Sequence, residues 1–391
     1  MGHKDKRIDI APKFWYETAT VFIPLFLLSL NYIIYAFWGI TEAKLVLRLL
    51  VAAALVADAA YQILKKQAGK SLLFVLAVVA VLGLQQGVIS FNAALLVLLA
   101  AVLRTKRLSG IYAASYIISM LLLVLVLVCL VFGFVENSPY VVGDRYRMPF
   151  GFYNVNAAAL FAFSGIITYV LSRKSFRIKE WALALLLTTF VYLTTDSRTA
   201  FLSMMVFLAA WLVLPKLPKK HCRILVLALV AIMFLTPAFW SLKVVNDGWV
   251  NQILSLRPAF YAQFIQENSI WNLLIGGSQA GEIDNYYLLQ LFNCGIFLYV
   301  AGELVVLTAI DMLLKKGKYL EIGFCLSMLL YGQFEAVLIR PEIVCVPVFW
   351  VIIGQNFSVD GLKCLASGVY QNCIHLFHKK NTNKDTTDSA E

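Results

Sequence analysis

Long apolar stretches, each closed by a few polar or basic residues, repeat from one end of the chain to the other. Uncharged runs of about 20 residues are what a helix needs to cross a hydrocarbon core about 30 Å thick. A transmembrane barrel would alternate in segments of about ten residues instead. The pattern therefore predicts an all-α polytopic membrane protein with about 12 transmembrane helices.

Residues 1–17 form a basic, polar tail. Spans are expected at roughly 18–38 and 43–64, followed by a basic loop at 65–70 and a helical hairpin, 71–84 and 88–103, turning at Gln85-Gln86-Gly87. The fifth span, 110–134, opens into a polar loop at 135–154. The sixth returns to the basic stretch 173–179. The seventh, 181–195, and eighth, 199–214, turn at Asp196-Ser197-Arg198. The ninth ends near Trp240. Residues 241–285 are then too polar to span a bilayer and too rich in Trp, Tyr, Leu and Ile for a slack linker. This long loop is expected to fold on the outer side. The tenth span, 286–314, runs to the basic Lys315-Lys316-Gly317-Lys318. The eleventh rises to about Val337, Arg340-Pro341-Glu342 sits outside, and the twelfth covers 343–357. Residues 358–391 form a polar cytoplasmic tail, expected to be disordered beyond His378.

Composition agrees: 61% of the 391 residues are hydrophobic and 14% charged, where a soluble domain carries about 25%. The net charge of +11 would suggest nucleic acid, but its placement argues otherwise. Of 33 Lys and Arg, 25 lie in the two tails and five short loops. The other eight are Lys44, Arg48, Arg145, Arg147, Arg198, Lys243, Arg257 and Arg340. That is the positive-inside asymmetry, with both termini in the cytoplasm and no nucleic-acid partner. The first apolar run is long and has no small-residue cleavage site, so no cleavable signal peptide is expected. The seven cysteines suggest no disulfide framework.

The polar residues show where chemistry is possible. All four histidines, His3, His221, His375 and His378, fall on the cytoplasmic side, so a base on the outer side would be a carboxylate. The outer acids include Glu136, Asp144, Asp196, Asp247, Glu267, Glu282, Asp284 and Glu342, and Glu335 lies near the outer end of its helix. The outer arginines suit bidentate capture of phosphate oxygens, or else simply snorkel to lipid headgroups. Arg198 and Arg257 sit in the more specific settings. Asp58, Arg48, Glu303 and Asp311 lie in or near spans, where a charge is costly and often functional. Cys373, His375 and His378 are a weak zinc signal, and no metal site is expected. There is no phosphate-binding glycine loop with lysine, no HExxH, no GxSxG and no DxD run.

Three outer motifs occur in order: Arg147-Met148-Pro149-Phe150-Gly151-Phe152-Tyr153-Asn154-Val155-Asn156, then Thr195-Asp196-Ser197-Arg198-Thr199-Ala200, then Leu256-Arg257 with Gly276-Gly277 and Asp284-Asn285-Tyr286-Tyr287-Leu288. Together they resemble the O-antigen ligase/polymerase superfamily, most of all the Wzy-type repeat-unit polymerases of Gram-positive capsular and exopolysaccharide clusters. The resemblance implies a fold of the GT-C type and a metal-independent outer site without cofactor. It also implies transfer of a glycan from undecaprenyl pyrophosphate to another lipid-linked repeat unit. Arg198 and Arg257 would hold the donor pyrophosphate. Asp284 stands where ligases usually have a histidine and would be the base, with Asn285 orienting it or the acceptor. Arg147, Asn156 and Arg340 complete the expected substrate-binding set. A flippase and a chain-length regulator of the same pathway are the implied protein partners. A ligase of the same superfamily and a flippase or secondary transporter are the rival readings. A transporter should show charged or broken helices near the midplane, often in paired repeats; here the notable polar groups gather on one side and no repeat is visible.

Overall fold

The computed structural model describes residues 10–64, 88–142, 145–173, 177–240, 251, 254, 256–278 and 283–363, except for the side chains of 10–18, 41–44, 88–90, 142 and 145. The first arm of the expected hairpin, 71–84, and the tails lie outside these residues. The chain is an all-α polytopic membrane protein, with one small β-hairpin among the described residues. Its helices are α1 (Ile10–Trp38), α2 (Thr41–Leu64), α3 (Val88–Leu103), α4 (Leu108–Val131), α5 (Val155–Ser172), α6 (Ile178–Thr195), α7 (Arg198–Val213), α8 (Lys219–Trp240), α9 (Arg257–Glu267), α10 (Ile270–Ile275), α11 (Tyr286–Lys315), α12 (Tyr319–Gly332) and α13 (Cys345–Asn356). Among the described residues, eight helices are long and apolar enough to cross a membrane, and three shorter apolar ones accompany them.

The peripheral helices are apolar on both faces. Helix α4 buries Ile111, Ser115, Ile118, Leu122 and Val126 while turning Ile117, Leu121, Val124 and Val131 outward. An outward face of that kind is stable only against lipid tails, and a helix suits it because its backbone bonds are all internal. The core belongs to α12 and α13. Every residue of α12 from Ile322 to Gly332 except Leu330 is buried. Gly323 brings α12 against α7: a Cβ there would lie 3.2 Å from both the Ala210 Cβ and the Phe207 carbonyl oxygen. Close approach through small residues is how membrane helices gain packing energy.

The structure departs from the sequence expectation in three places. Residues in the 135–154 loop form the antiparallel hairpin β1 (Tyr140–Val142) and β2 (Arg145–Arg147). Helix α11 is broken at Gly295, whose φ of 79° is non-helical. The eleventh span stops at Gly332 rather than near Val337. At 1.5 Å per residue, α12 and α13 are roughly 21 and 18 Å long, too short to cross alone. The segment joining them, 333–344, is not an exposed loop. It is largely buried, and it includes Glu342, which is 7% exposed.

Three of the four intramembrane charges are paired. Arg48 Nη2 bonds Glu342 Oε2 at 3.1 Å, Lys106 Nζ lies 3.9 Å from Asp58 Oδ2, and Asp311 takes Arg223 and Lys315. Glu303 differs: its Oε2 is buried with no hydrogen-bond partner among the described residues. Removing one partner of a buried pair leaves an uncompensated charge, at a cost of about 3–5 kcal/mol. Arg48→Ala, which strands the buried Glu342 carboxylate, is therefore expected to lower the Tm of the purified protein clearly, whereas Glu303→Gln removes an unmet acid and leaves Tm unchanged or raised. Thermal unfolding in detergent checks both, and an Arg48→Ala protein as stable as wild type would deny the pair its role.

Candidate functional site

The buried 333–344 segment is the floor of the site. Irregular backbone is tolerated in a buried position only where protein satisfies its polar groups. Here side chains do so. Tyr261 Oη and Asn285 Nδ2 lie 3.1 and 2.8 Å from the Gln333 carbonyl. Trp350 Nε1 donates to the Leu338 carbonyl at 2.8 Å, and Cys345 N–H donates to Ser164 Oγ at 3.0 Å. The Gln333 side chain repairs a second break. Pro237 in α8 has no N–H for the Met233 carbonyl, and Gln333 Nε2 donates to that oxygen at 2.8 Å.

Glu335 stands at the edge of this floor, its side chain 12% exposed. One oxygen, Oε1, accepts from Arg257 Nη2 at 2.9 Å and from Asn156 Nδ2 at 3.2 Å. Asn156 Oδ1 accepts from Arg147 Nη2 at 3.2 Å, and Arg147 Nε donates to the Thr195 carbonyl at 2.9 Å. On the other side Arg257 Nη1 donates to Thr199 Oγ1 at 3.2 Å. Thr195 and Thr199 bracket the Asp196-Ser197-Arg198 turn, so the bonds begin and end on one turn. They join the ends of β2 and α6, the starts of α5, α7 and α9, and the segment after α12. Burial raises the Glu335 carboxyl most, and the Asp284 charge adds to it. Arg257 and Arg340 pull it down, and the balance leaves it pushed up to about 7.

Backbone strain collects at the same motifs. Phe150, Asp196 and Leu256 are the non-glycine residues with positive φ among those described, at 51°, 49° and 62°. Each lies within three residues of Arg147, Arg198 or Arg257. Left-handed backbone costs a bulky residue about 1–3 kcal/mol and persists only where the surroundings impose it. Leu256 reverses the chain so that Arg257 opens α9, with Pro258 directly after it in the first turn. The Gly276-Gly277 turn has its own docking place. The break at Gly295 frees the carbonyls of Phe292 and Asn293, which accept from Ser278 N–H at 3.1 Å and Gly277 N–H at 3.0 Å.

Each expected site residue can now be placed. Arg147, Asn156 and Arg257 share the circuit through Glu335. Arg198 is exposed on the turn that the circuit encloses. Arg340 lies within electrostatic range of Glu335, Glu342 and Tyr153. Asp284 is exposed, its charge acting on Glu335 and its carbonyl 2.9 Å from Tyr261 Oη. Asn285 is fully buried and caps α11, accepting from Leu288 N–H at 2.9 Å and donating to the Gln333 carbonyl, so its contacts are with the protein's own backbone beside Asp284. Asp144, Asp247 and Glu282 fall outside the described residues, and His221 is at the opposite end of α8. Glu335 was visible in the sequence as an outer acid, but nothing local singled it out. Comparison with protein-family models, with curated proteins and with solved structures finds no match for this chain.

The two glycine positions separate backbone freedom from space. A Cβ on Gly295 would lie 2.7 Å from the Ile275 carbonyl carbon and the Leu274 oxygen, whereas one on Gly277 meets nothing within 4 Å. Both have positive φ, so each alanine pays about 1–2 kcal/mol for it. Gly295→Ala must also displace backbone and is expected to abolish stable expression or lower Tm sharply. Gly277→Ala is expected to lower it slightly. Fluorescence-detected size exclusion with a thermal ramp compares them, and equal losses would mean that α10 does not rest on the break.

Proposed function

We propose that this chain is a membrane glycosyltransferase that joins oligosaccharide repeat units carried on undecaprenyl pyrophosphate, a polymerase of the Wzy type. It would act at the outer face of a bacterial cytoplasmic membrane, with both termini in the cytoplasm. The observation that carries the reading is the bond circuit. It gathers arginines from two separate motifs, Arg147 and Arg257, around the turn that presents Arg198. Lys and Arg of the short basic loops lie at the other ends of the same helices. Fixed guanidinium groups in a site of low water content suit a leaving pyrophosphate, whose charge grows as the bond to the sugar breaks.

In this reading Arg198 and Arg257 hold the donor pyrophosphate, Arg147, Asn156 and Arg340 bound the glycan side, and the transfer inverts the anomeric centre. A ligase of the same superfamily would use the same donor site and differ in acceptor. A flippase would need polar groups that offer a path between the two faces. The circuit stays at one end, which favours an enzyme.

The test is lipid-linked glycan profiling in a strain lacking the gene, complemented with wild type, Arg257→Ala or Arg257→Lys. Polymer is expected only with wild type, with single repeat units accumulating on the outer leaflet otherwise. Loss of one such donor costs roughly 10²–10³ in rate, and lysine restores charge but not the fork. Finished polymer stranded on its carrier would identify a ligase. Units trapped on the inner leaflet would identify a flippase and end the site assignment.

A further inference from the structure

Glu335 is the acid that the circuit is built around, and the expected base, Asp284, is exposed at the site's edge. We propose, on the reading just given, that Glu335 is the proton acceptor of the transfer and that its ion pair with Arg257 is a placeholder which the donor pyrophosphate displaces. The geometry supports both halves. Arg257 spends one guanidinium nitrogen on Glu335 Oε1 and another on Thr199. A pyrophosphate offers oxygen acceptors to the same guanidinium nitrogen with more charge, so it competes for the arm that Glu335 holds. Thr199 keeps the guanidinium in place during the exchange.

Displacement then changes the acid. Glu335 loses its strongest stabilising partner and gains a polyanion nearby, while Asn156 still orients it. A carboxylate left in that state binds a proton more avidly, and it becomes a stronger base only once donor is seated. In the transfer an acceptor hydroxyl oxygen forms the bond to the anomeric carbon. The bond from that carbon to the pyrophosphate oxygen breaks, and its electron pair leaves on the pyrophosphate. The hydroxyl proton goes to Glu335 and later to solvent. The charged groups facing Glu335 are Arg257 of α9, Asp284 before α11 and Arg340 after the turn at Val337–Ile339. Arg147 acts through Asn156, and burial raises the nearby phenols of Tyr153 and Tyr261, which stay neutral at ordinary pH.

The experiment uses full-length protein in detergent with lipid-linked repeat units as substrate, and undecaprenyl pyrophosphate alone as the binding probe. Wild-type rate is expected to rise with pH and level off, because the ionised acid is the active form, with the rise at saturating donor lying above that of the donor-free protein. Glu335→Gln is expected to lose about 10²–10⁴ in rate along with that rise. The same variant is expected to bind undecaprenyl pyrophosphate at least as tightly as wild type, since Arg257 no longer has an internal competitor. A merely structural role predicts weaker binding instead. Glu335→Asp, which keeps the charge, should retain the pH dependence at reduced rate. A Glu335→Gln protein that keeps the rate and its pH rise would place the proton elsewhere. One that loses pyrophosphate binding would make Glu335 a support for Arg257 and overturn the displacement. A wild type that forms no polymer overturns the polymerase reading and the base with it, and the displacement is then judged on pyrophosphate binding alone.

Discussion

Buried backbone polar groups have no water to turn to, and the segment between α12 and α13 is where this chain meets that constraint without a helix. Two helices too short to cross are joined by a buried run of turns, 333–344. Two carbonyls of that run are met by side chains, that of Gln333 by Tyr261 and Asn285 and that of Leu338 by Trp350. Those donors come from the long loop, from the start of α11 and from α13 itself. The loop is thereby tied to the membrane core, and Tyr261 is further braced by the Trp240 ring at 5.4 Å. A site assembled this way is rigid because its floor would be unstable unless every donor were in place.

Rigidity at the floor lets the chain hold strain at the rim. Leu256, Asp196 and Phe150 occupy left-handed backbone next to the three arginines, a conformation that a free loop would relax. The break at Gly295 works in the same direction. It gives up helical hydrogen bonds in the middle of a span and returns the freed carbonyls to the Gly277-Ser278 backbone. That turn lies between α10 and the residues leading to Asp284, so the broken helix fixes where the loop re-enters.

The helices were legible because lipid imposes one simple rule, and a run of apolar residues obeys it locally. Much of the site was legible too. Arg147, Asn156, Arg198 and Arg257 stand out as polar residues at the ends of apolar runs. What the sequence hid depends on burial at a distance. Residues 337–339 read as more span because Val-Leu-Ile is apolar, yet they form a short 3-10 turn buried against the core. Glu335 looks like any acid at a helix end until Asn156, 179 positions away, is seen to hold it. Asn285 looks like a site residue because it follows Asp284, while the same chemistry makes it a helix cap.

Asn156 explains how two arginines and one acid can share so small a space. Its amide has an acceptor end and a donor end, and each meets the charge it suits: Oδ1 takes Arg147 and Nδ2 reaches Glu335. A carboxylate at this position would bring a second acid against Glu335, and a cation would set a third positive group between Arg147 and Arg257. The neutral amide transmits orientation without adding charge. The cationic character of the rim is then set by the arginines, while the one acid among them keeps a single oxygen engaged by two donors. That is an arrangement in which an incoming anion exchanges places with a carboxylate rather than filling an empty pocket. It keeps the guanidinium groups oriented in the resting protein at little cost in disorder.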